Sequence, residues 1–364
     1  MRKIFITILI ALSFQSCTQQ KNDIFEKPDV DKRTELLSIV FRLAEKEEYS
    51  TTDFKLYTDR IEHHFGKYKN HELIQFTKSI INRNRIGNSA VMSMAIHLDN
   101  NLKLLSDVKD IWLDTQQWNE EDVEKFVLLL QKFSKDTRFN KFFENNTDLY
   151  SEAVKRFNSV YEHLDLNWYH NFYGQEPAEA FSVKIVLGNG NNNYGPYLEY
   201  ANGFKKGHSI LSIWRFDNEG MPVFRADEYF TILLHEYNHP FVNHLIEKHR
   251  NAFKESGEKL FSVVEKEMQN LSYSSWESMM TEALIRAAMV KYMRDHDFEL
   301  SEIENLIIEE KAKGFIWIEE FAEELKNYEN QRDKYPTLES YMPQLAETYK
   351  VWAKEINNIY LQVN

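Results

Sequence analysis

The stretch T-I-L-L-H-E-Y-N-H-P, residues 231–240, restricts the fold and chemistry of this 364-residue chain more than any other. It contains the pattern HExxH, in which His235 and His239 are four residues apart. On a helix, residues at this spacing lie on one face, so the two imidazoles would point to one spot and could bind zinc there. Glu236 would lie roughly 100° further around the helix, where its carboxylate could act as a general base on a water molecule.

The residues before this motif favour a buried metal site. Five large apolar side chains lead into it: Tyr229, Phe230, Ile232, Leu233 and Leu234. A buried helix that carried two histidines and a glutamate without partners would be costly, and a metal ion would satisfy all three groups. The alternative is a hydrogen-bonded polar cluster without a metal.

The first 17 residues resemble a bacterial lipoprotein signal peptide. Two basic residues precede an apolar run at residues 4–12, which is too short to span a bilayer, and Ser16-Cys17 follows as the processing site. Cys17 is the only cysteine, so we expect it to be the lipid attachment point. An ordinary secretory signal with a chance cysteine is the alternative. Residues 18–31 are expected to form a flexible tether that anchors the protein to a membrane of the bacterial cell envelope.

Charge and composition exclude one class of partner and indicate the fold class. The formal net charge is −13, and removal of Arg2 and Lys3 with the signal makes it about −15. Such a surface repels phosphate backbones, so nucleic acid is not expected as a partner. With only 7 Pro and 11 Gly, the chain should be mostly helical. We expect an α+β, mainly helical fold, with a helical region over residues 32–175 and a second region with a small sheet over residues 176–364.

Three short runs before the motif predict this small sheet. Residues 181–187 alternate and are rich in β-branched side chains. Residues 194–200 contain Pro196, which cannot donate to a ladder, so this run should be an edge strand. Residues 208–214 form the third run, and the motif helix is expected to begin near Asp227.

Taken together, these stretches resemble gluzincin-type zinc metallopeptidases, in which a small sheet leads into an HExxH helix. More narrowly, the chain is similar to bacterial lipoproteins filed as a domain-of-unknown-function family, through N-Y-G, H-E-Y-N-H-P-F-V-N, T-E-A-L-I-R-A and Y-P-T-L-E-S-Y-M-P. The resemblance implies a zincin site. It also implies that the edge strand with Asn193, Tyr194 and Gly195 could hold a peptide by β-addition, a loosely paired hairpin without ligand being the alternative.

A zinc site needs a third protein ligand, and the resemblance implies a glutamate from a second helix. A helix over residues 274–294 offers Glu277 and Glu282. Glu282 is the better candidate because two small alanines beside it allow close approach between helices. Arg286, one turn further on, would hold this carboxylate, and a plain ion pair between Glu282 and Arg286 is the alternative. The familiar gluzincin Asn-Glu pair is not kept, since Thr281 stands before Glu282.

Further signals concern the shape of the C-terminal half. Pro240 should kink or end the motif helix just past His239. Ser256-Gly257 indicates a turn before a short helix at residues 260–268. The remainder of the chain is expected to be helical and to pack on the catalytic half.

The leading functional hypothesis is a membrane-anchored zinc-dependent hydrolase, a metallopeptidase that acts on a peptide or protein substrate with Glu236 as general base. The main rival is a catalytically inactive binding lipoprotein with a zincin fold, and a helical binder of surface glycans is a third possibility. Three residues are considered for stabilising the oxyanion, without preference among them: Tyr194, His208 and Tyr341.

Overall fold

A computed structural model of the chain describes residues 24–115 and 117–363. It is 63% helical and has a mixed four-stranded sheet, which confirms the α+β, mainly helical fold class. The expected signal peptide and the attachment point at Cys17 lie outside the described residues. Within the described ranges, no helix combines the length and the apolar character that a membrane span requires.

Nine α-helices come before the main part of the sheet in the described chain. They are α1 (Lys32–Leu43), α2 (Lys55–Phe65), α3 (Glu72–Asn84), α4 (Asn88–Ile96), α5 (Ile111–Asp114), α6 (Glu120–Asp136), α7 (Phe139–Asn145), α8 (Thr147–Tyr161) and α9 (Leu166–Tyr173). Side-chain caps begin several of them. Asp31 accepts a hydrogen bond from the backbone N–H of Arg33 at 2.7 Å, and Asn119 accepts one from the N–H of Asp122 at 2.9 Å.

Four strands form the sheet: β1 (Phe25–Asp29), β2 (Glu179–Ile185), β3 (Tyr197–Glu199) and β4 (Lys205–Leu211). Their spatial order is β1-β2-β4-β3. Strands β1 and β4 run parallel to β2, whereas β3 runs antiparallel to β4 at one edge. The three strands expected from the sequence correspond to β2, β3 and β4, and Pro196 immediately precedes the edge strand.

Strand β1 differs from the flexible tether that was expected over residues 18–31. Its pairing depends on long-range ion pairs: Nζ of the buried Lys184 lies 2.8 Å from Asp29 and 3.3 Å from Glu26. Pro28 is tolerated because β1 lies at an edge of the sheet. The tether prediction is therefore wrong for Phe25–Asp29, and the reason is a tertiary contact that the polar local sequence does not reveal.

Six α-helices follow the sheet in the described chain: α10 (Ala226–Lys248), α11 (Arg250–Asn270), α12 (Trp276–Asp295), α13 (Leu300–Ala312), α14 (Ile318–Glu329) and α15 (Leu338–Val363). Helix α10 carries the HExxH motif. It continues past Pro240 to Lys248, so of the two alternatives at Pro240, a kink or an end of the helix, the end is wrong. The carbonyl of Pro240 accepts a hydrogen bond from the N–H of Ala178 at 2.9 Å, which ties α10 to the segment that leads into β2.

The turn expected at Ser256-Gly257 is also wrong, because both residues lie buried inside α11. A Cβ atom at Gly257 would lie 2.4 Å from the Trp276 ring and 2.7 Å from Sδ of Met280. Glycine is needed here because α11 and α12 approach each other closely. The contact helps to fix α12, the helix that carries Glu282.

One hydrophobic core extends through both halves of the described chain. Phe181 of β2 packs on Tyr237 of α10 with ring centroids 4.9 Å apart, and Phe25 of β1 contacts the same tyrosine at 5.1 Å. Near the start of α10, Trp214 stacks on Tyr229 at 4.3 Å. Helix α10 is thus held by the sheet and by α12, which also packs against it.

Candidate metal centre

The two motif histidines and a glutamate from α12 meet at one point. Nε2 of His235 and Nε2 of His239 are 3.2 Å apart. Glu282 places Oε2 3.5 Å from His235 Nε2 and Oε1 3.9 Å from His239 Nε2. One ligand atom from each of the three residues lies within 4.8 Å of the others. This is the spacing that a single ion with three ligands at about 2.0–2.2 Å would require.

The protonation states of these groups suit metal binding. Burial lowers the pKa of His235 to about 3, so its imidazole is neutral at pH 7. Burial opposes ionisation of Glu282, yet the neighbouring His235, Arg286 and His239 together hold the pKa of this carboxyl below its ordinary value. The imidazoles of His235 and His239 and the carboxylate of Glu282 form the donor set that zinc takes in His₂Glu sites. The residues therefore fit the ion.

Hydrogen bonds from outside the motif orient His239. Its Nδ1 lies 2.9 Å from Oδ1 of Asn243, and Nδ2 of Asn243 donates to Oε2 of Glu179 at 2.9 Å. Because the amide nitrogen of Asn243 is committed to Glu179, its oxygen must accept from Nδ1–H of His239. A His239 ring with a single proton, held on Nδ1, would present Nε2 as the free ligand nitrogen towards Glu282.

A second network holds Glu282. The hydroxyl of Tyr273 donates to Oε2 of Glu282 at 2.9 Å, and Nη1 of Arg286 donates to the same oxygen. Nε of Arg286 donates to Glu310 of α13 at 2.7 Å, and its guanidinium lies 4.4 Å from the centre of the Phe315 ring. Arg286 is buried, and its charge is balanced by two carboxylates. These contacts fix the carboxylate of Glu282 where it faces the two histidines.

Glu236 faces the same space without belonging to the group of three. Its carboxylate accepts no hydrogen bond from any residue in the described ranges, and burial raises its pKa. It lines a cleft of about 1000 Å³ together with His235, His239 and Glu282. The cleft extends along the sheet past Tyr197. A molecule bound in it would contact both Glu236 and the group of three.

The comparisons with known proteins identify the family. The model of the family described as Domain of unknown function (DUF4932) matches residues 28–348. The chain belongs to this family. The similarity to a domain-of-unknown-function family that the sequence indicates is thereby confirmed. Neither the curated proteins nor the solved structures compared with this DUF4932 chain gave a match.

The other acidic candidate on α12 of this DUF4932 member lies elsewhere. Oε1 of Glu277 accepts hydrogen bonds from the Arg250 guanidinium of α11 at 2.9 and 2.6 Å. Glu277 is thus engaged with α11, whereas Glu282 and Arg286 lie beside the motif histidines. The assignment of Glu282 as a metal ligand and of Arg286 as its partner stays a prediction.

The predicted edge-strand residues Asn193, Tyr194 and Gly195 all line the cleft. Oδ1 of Asn193 accepts a hydrogen bond from the N–H of Ser212 at 2.9 Å. Tyr194 pairs with Ile210 of β4. Gly195 is exposed, and a Cβ atom built on it would meet open space. The segment that contains them therefore lies beside the candidate metal centre.

None of the three residues considered for stabilising the oxyanion directs its side chain towards α10. Phe181 and Gly207 lie on the side of the sheet that faces α10. His208 follows Gly207 on β4, so its side chain points to the opposite side. There its Nδ1 lies 2.8 Å from Oγ of Ser182. The hydroxyl of Tyr341 donates to Glu324 at 2.5 Å. Tyr194 pairs with Ile210, on the same side of the sheet as His208, so its ring also faces away from α10.

Three residues that support the site were not found from the sequence: Tyr273, Asn243 and Glu179. Asn243 follows His239 by four residues, so helical spacing alone could have placed it next to that histidine. Tyr273 lies in the loop before α12, and Glu179 lies at the start of β2. No local pattern brings either of these two to α10.

Proposed function

We propose that this chain is a zinc-dependent hydrolase that cleaves peptide bonds, anchored to the bacterial cell envelope through Cys17. One observation carries the proposal: His235, His239 and Glu282 converge within 4.8 Å beside a cleft that Glu236 also lines. A polar cluster with a purely structural role would have no need of an open cleft or of a carboxylate left without hydrogen bonds. The gluzincin-like pattern of the sequence supports the same conclusion.

Each group would have a distinct part in the reaction. When bound by His235, His239 and Glu282, zinc would supply Lewis acidity towards the scissile carbonyl and a water molecule. Glu236 would accept a proton from the attacking water and return it to the leaving amine. Its raised pKa suits a group that holds a proton between these two events. Asn243 and Arg286 would keep the His239 ring and the Glu282 carboxylate in place.

The edge of the sheet supports a peptide as the substrate. Tyr194 exchanges backbone hydrogen bonds with Ile210 of β4, and the Pro196 carbonyl accepts one from His208. Tyr194 and Pro196 thus turn their backbone groups towards β4. Because the direction of these groups alternates along a strand, the N–H and C=O groups of Gly195 and Tyr197 point away from β4, to the open side of the sheet. These outward groups make no hydrogen bond to a described residue, and the next outward carbonyl, that of Glu199, accepts from Lys109 at 2.7 Å. An extended peptide would thus add to a short free edge that borders the cleft.

Metal content of the purified protein is the first test. The wild-type protein should bind one zinc ion, and His235→Ala and His239→Ala should each lose it. His244→Ala is the matched control, because this imidazole lies on the same helix but next to Glu339. A purified wild-type protein that binds no zinc would contradict the proposal.

Turnover separates the hydrolase from the rival, an inactive zincin-fold binding lipoprotein. The zinc-loaded protein should cleave members of a mixed peptide library, with products identified by mass spectrometry. Glu236→Gln should keep the zinc stoichiometry and the melting temperature and abolish cleavage. Zinc binding with no cleavage of any peptide would favour the binding protein, and loss of zinc in Glu236→Gln would show that the assigned role of Glu236 is wrong.

A further inference from the structure

Lys205 occupies an unusual position on the floor of the cleft. It begins β4 and is paired in register with Glu179 of β2 on one side and with Glu199 of β3 on the other. All three residues lie on the side of the sheet that faces α10, the same side as Phe181 and Gly207. A lysine between two cross-strand glutamates would ordinarily form an ion pair with one of them.

Both neighbouring carboxylates make their nearest polar contacts with other residues. Burial raises the pKa of the Glu179 carboxyl, and the charge of Lys205 still acts on that group to lower it. Glu179 accepts from Asn243 at 2.9 Å, and Glu199 lies 3.8 Å from Nζ of Lys109. Within the described ranges, no carboxylate approaches Nζ of Lys205 to 4.0 Å or closer. The Lys205 ammonium lies 5.9 Å from the centre of the Tyr197 ring, which is 47% exposed. A cation–π contact at this distance orients the ammonium and leaves its N–H donors available.

The surroundings leave room for a ligand at this point. Lys205, Tyr197 and Gly207 all line the cleft. Gly207 presents no side chain, and a Cβ atom there would lie 3.2 Å from the Phe181 ring beneath it. Asn243 donates to Glu179 and accepts from His239, and these two bonds place Lys205 at the His239 end of the group of three, towards the C-terminus of α10. The outward backbone of Tyr197 borders the same space.

We propose that Lys205, held against Tyr197, binds a carboxylate of the peptide substrate. This inference rests on the proposed peptidase function, because it names the substrate class of the same cleft. The carboxylate would come from a free C-terminus or from an Asp or Glu side chain, and both would present two oxygens to the ammonium. Because no described carboxylate lies within 4.0 Å of its Nζ, Lys205 would favour peptides that carry a carboxylate at this position over neutral ones.

Direct binding tests the inference without turnover. Four dye-labelled pentapeptides would be titrated by fluorescence anisotropy onto the Glu236→Gln protein, in which peptides are not consumed. They are an all-alanine peptide with a free C-terminus, its C-terminal amide, and amidated peptides with a C-terminal Glu or Gln. Lys205→Gln and the matched control Lys254→Gln, an exposed lysine of α11, would be introduced into the same background.

A carboxylate-bearing peptide should bind at least about tenfold more tightly than its neutral counterpart, which corresponds to about 1.4 kcal/mol. Lys205→Gln should remove this difference, whereas Lys254→Gln should keep it. Tyr197→Phe should retain most of the preference because the ring remains. The free-acid peptide and the Glu peptide distinguish a C-terminal carboxylate from an acidic side chain.

Equal binding of acidic and neutral peptides, an unchanged preference in Lys205→Gln, or no binding of any of the four would each overturn the inference. Thermal unfolding of every variant shows whether the fold is intact. Zinc content and library cleavage are measured separately, so the peptidase proposal can hold while this inference fails. If the protein cleaved peptides but showed no preference for those with a carboxylate, the peptidase proposal would stand and the inference about Lys205 would fail.

Discussion

The side-chain oxygen of Asn243 lies 2.9 Å from Nδ1 of His239, one turn away on the same helix. The same asparagine donates to Glu179 at the start of β2. The orientation of one imidazole at the candidate metal centre is therefore set by the sheet as well as by the helix that carries the motif.

We expect Asn243→Leu to weaken zinc binding. The substitution removes the acceptor for Nδ1–H of His239, so the ring loses its fixed tautomer and orientation. Removal of such an outer partner costs on the order of 10–100-fold in metal affinity. Competition with a chelating dye measures this loss. Asn251→Leu, at an exposed position of α11, is the control, and equal zinc affinity in both variants would contradict the prediction.

A matched pair on α12 tests the third ligand. Glu282→Gln should lose most of the zinc affinity, since it removes an anionic ligand, and Glu277→Gln should retain it because that side chain binds Arg250. A surface ion pair contributes at most about 1 kcal/mol, so the two outcomes differ clearly. Calorimetric zinc titration of both variants provides the measurement. Comparable affinities would exclude Glu282 as the ligand.

The buried Glu35 of α1 should make stability depend on pH. Its carboxylate accepts from the N–H of Leu187 at 2.6 Å and from the hydroxyl of Tyr57 at 2.7 Å. Burial raises its pKa from 4.5 to about 7, so the folded protein binds the proton more tightly than the unfolded chain. The contribution of Glu35 to the free energy of unfolding therefore falls as the pH rises from 4.5 to 7, by at most about 3 kcal/mol.

Glu35→Gln should flatten this part of the pH dependence. Denaturant unfolding at pH 5, 6, 7 and 8 would give the wild-type and variant curves, and their difference isolates the contribution of Glu35. Glu320→Gln, at an exposed position on α14, should leave the wild-type slope unchanged. The same slope in wild type and Glu35→Gln would argue against the raised pKa.

Gly257→Ala should destabilise the fold although alanine favours helices. The added Cβ would overlap the Trp276 ring and Sδ of Met280, so α11 and α12 would have to separate. Overpacking of this kind lowers the free energy of unfolding by about 1–3 kcal/mol. Urea unfolding measures the change. At the neighbouring exposed position, Glu258→Ala should be nearly neutral, and a stabilised Gly257→Ala would contradict the close contact.

Cys17→Ser tests the anchor. We expect the variant to move from the membrane fraction to the soluble exported fraction, because the proposed lipid attachment point is lost. Cell fractionation followed by immunoblotting measures the distribution. Membrane association equal to that of the wild type would rule out Cys17 as the anchor.

The sequence predicts the centre of the site because helical spacing is local. His235 and His239 share a face by their separation of four residues, and so do Glu282 and Arg286. The convergence of α10 with α12 was inferred from small residues beside Glu282, and the structure brings these helices together.

The surrounding support was not predictable in the same way. Tyr273 reaches Glu282 from a loop, and Glu310 reaches Arg286 from α13, so no spacing along one element reveals either contact. At Gly257 the local sequence did predict a structure, but the wrong one. Its sequence signal is that of a turn, and only the packing of two helices explains it.

The ion pairs of β1 determine where a shortened protein can begin. A chain that started at α1 would lack Glu26 and Asp29 and would leave the Lys184 ammonium buried without these partners. Such a chain would also lose the backbone pairing of β1 with β2. A soluble form made for metal analysis or crystallisation should therefore retain Phe25–Asp29, even though this stretch reads as a linker.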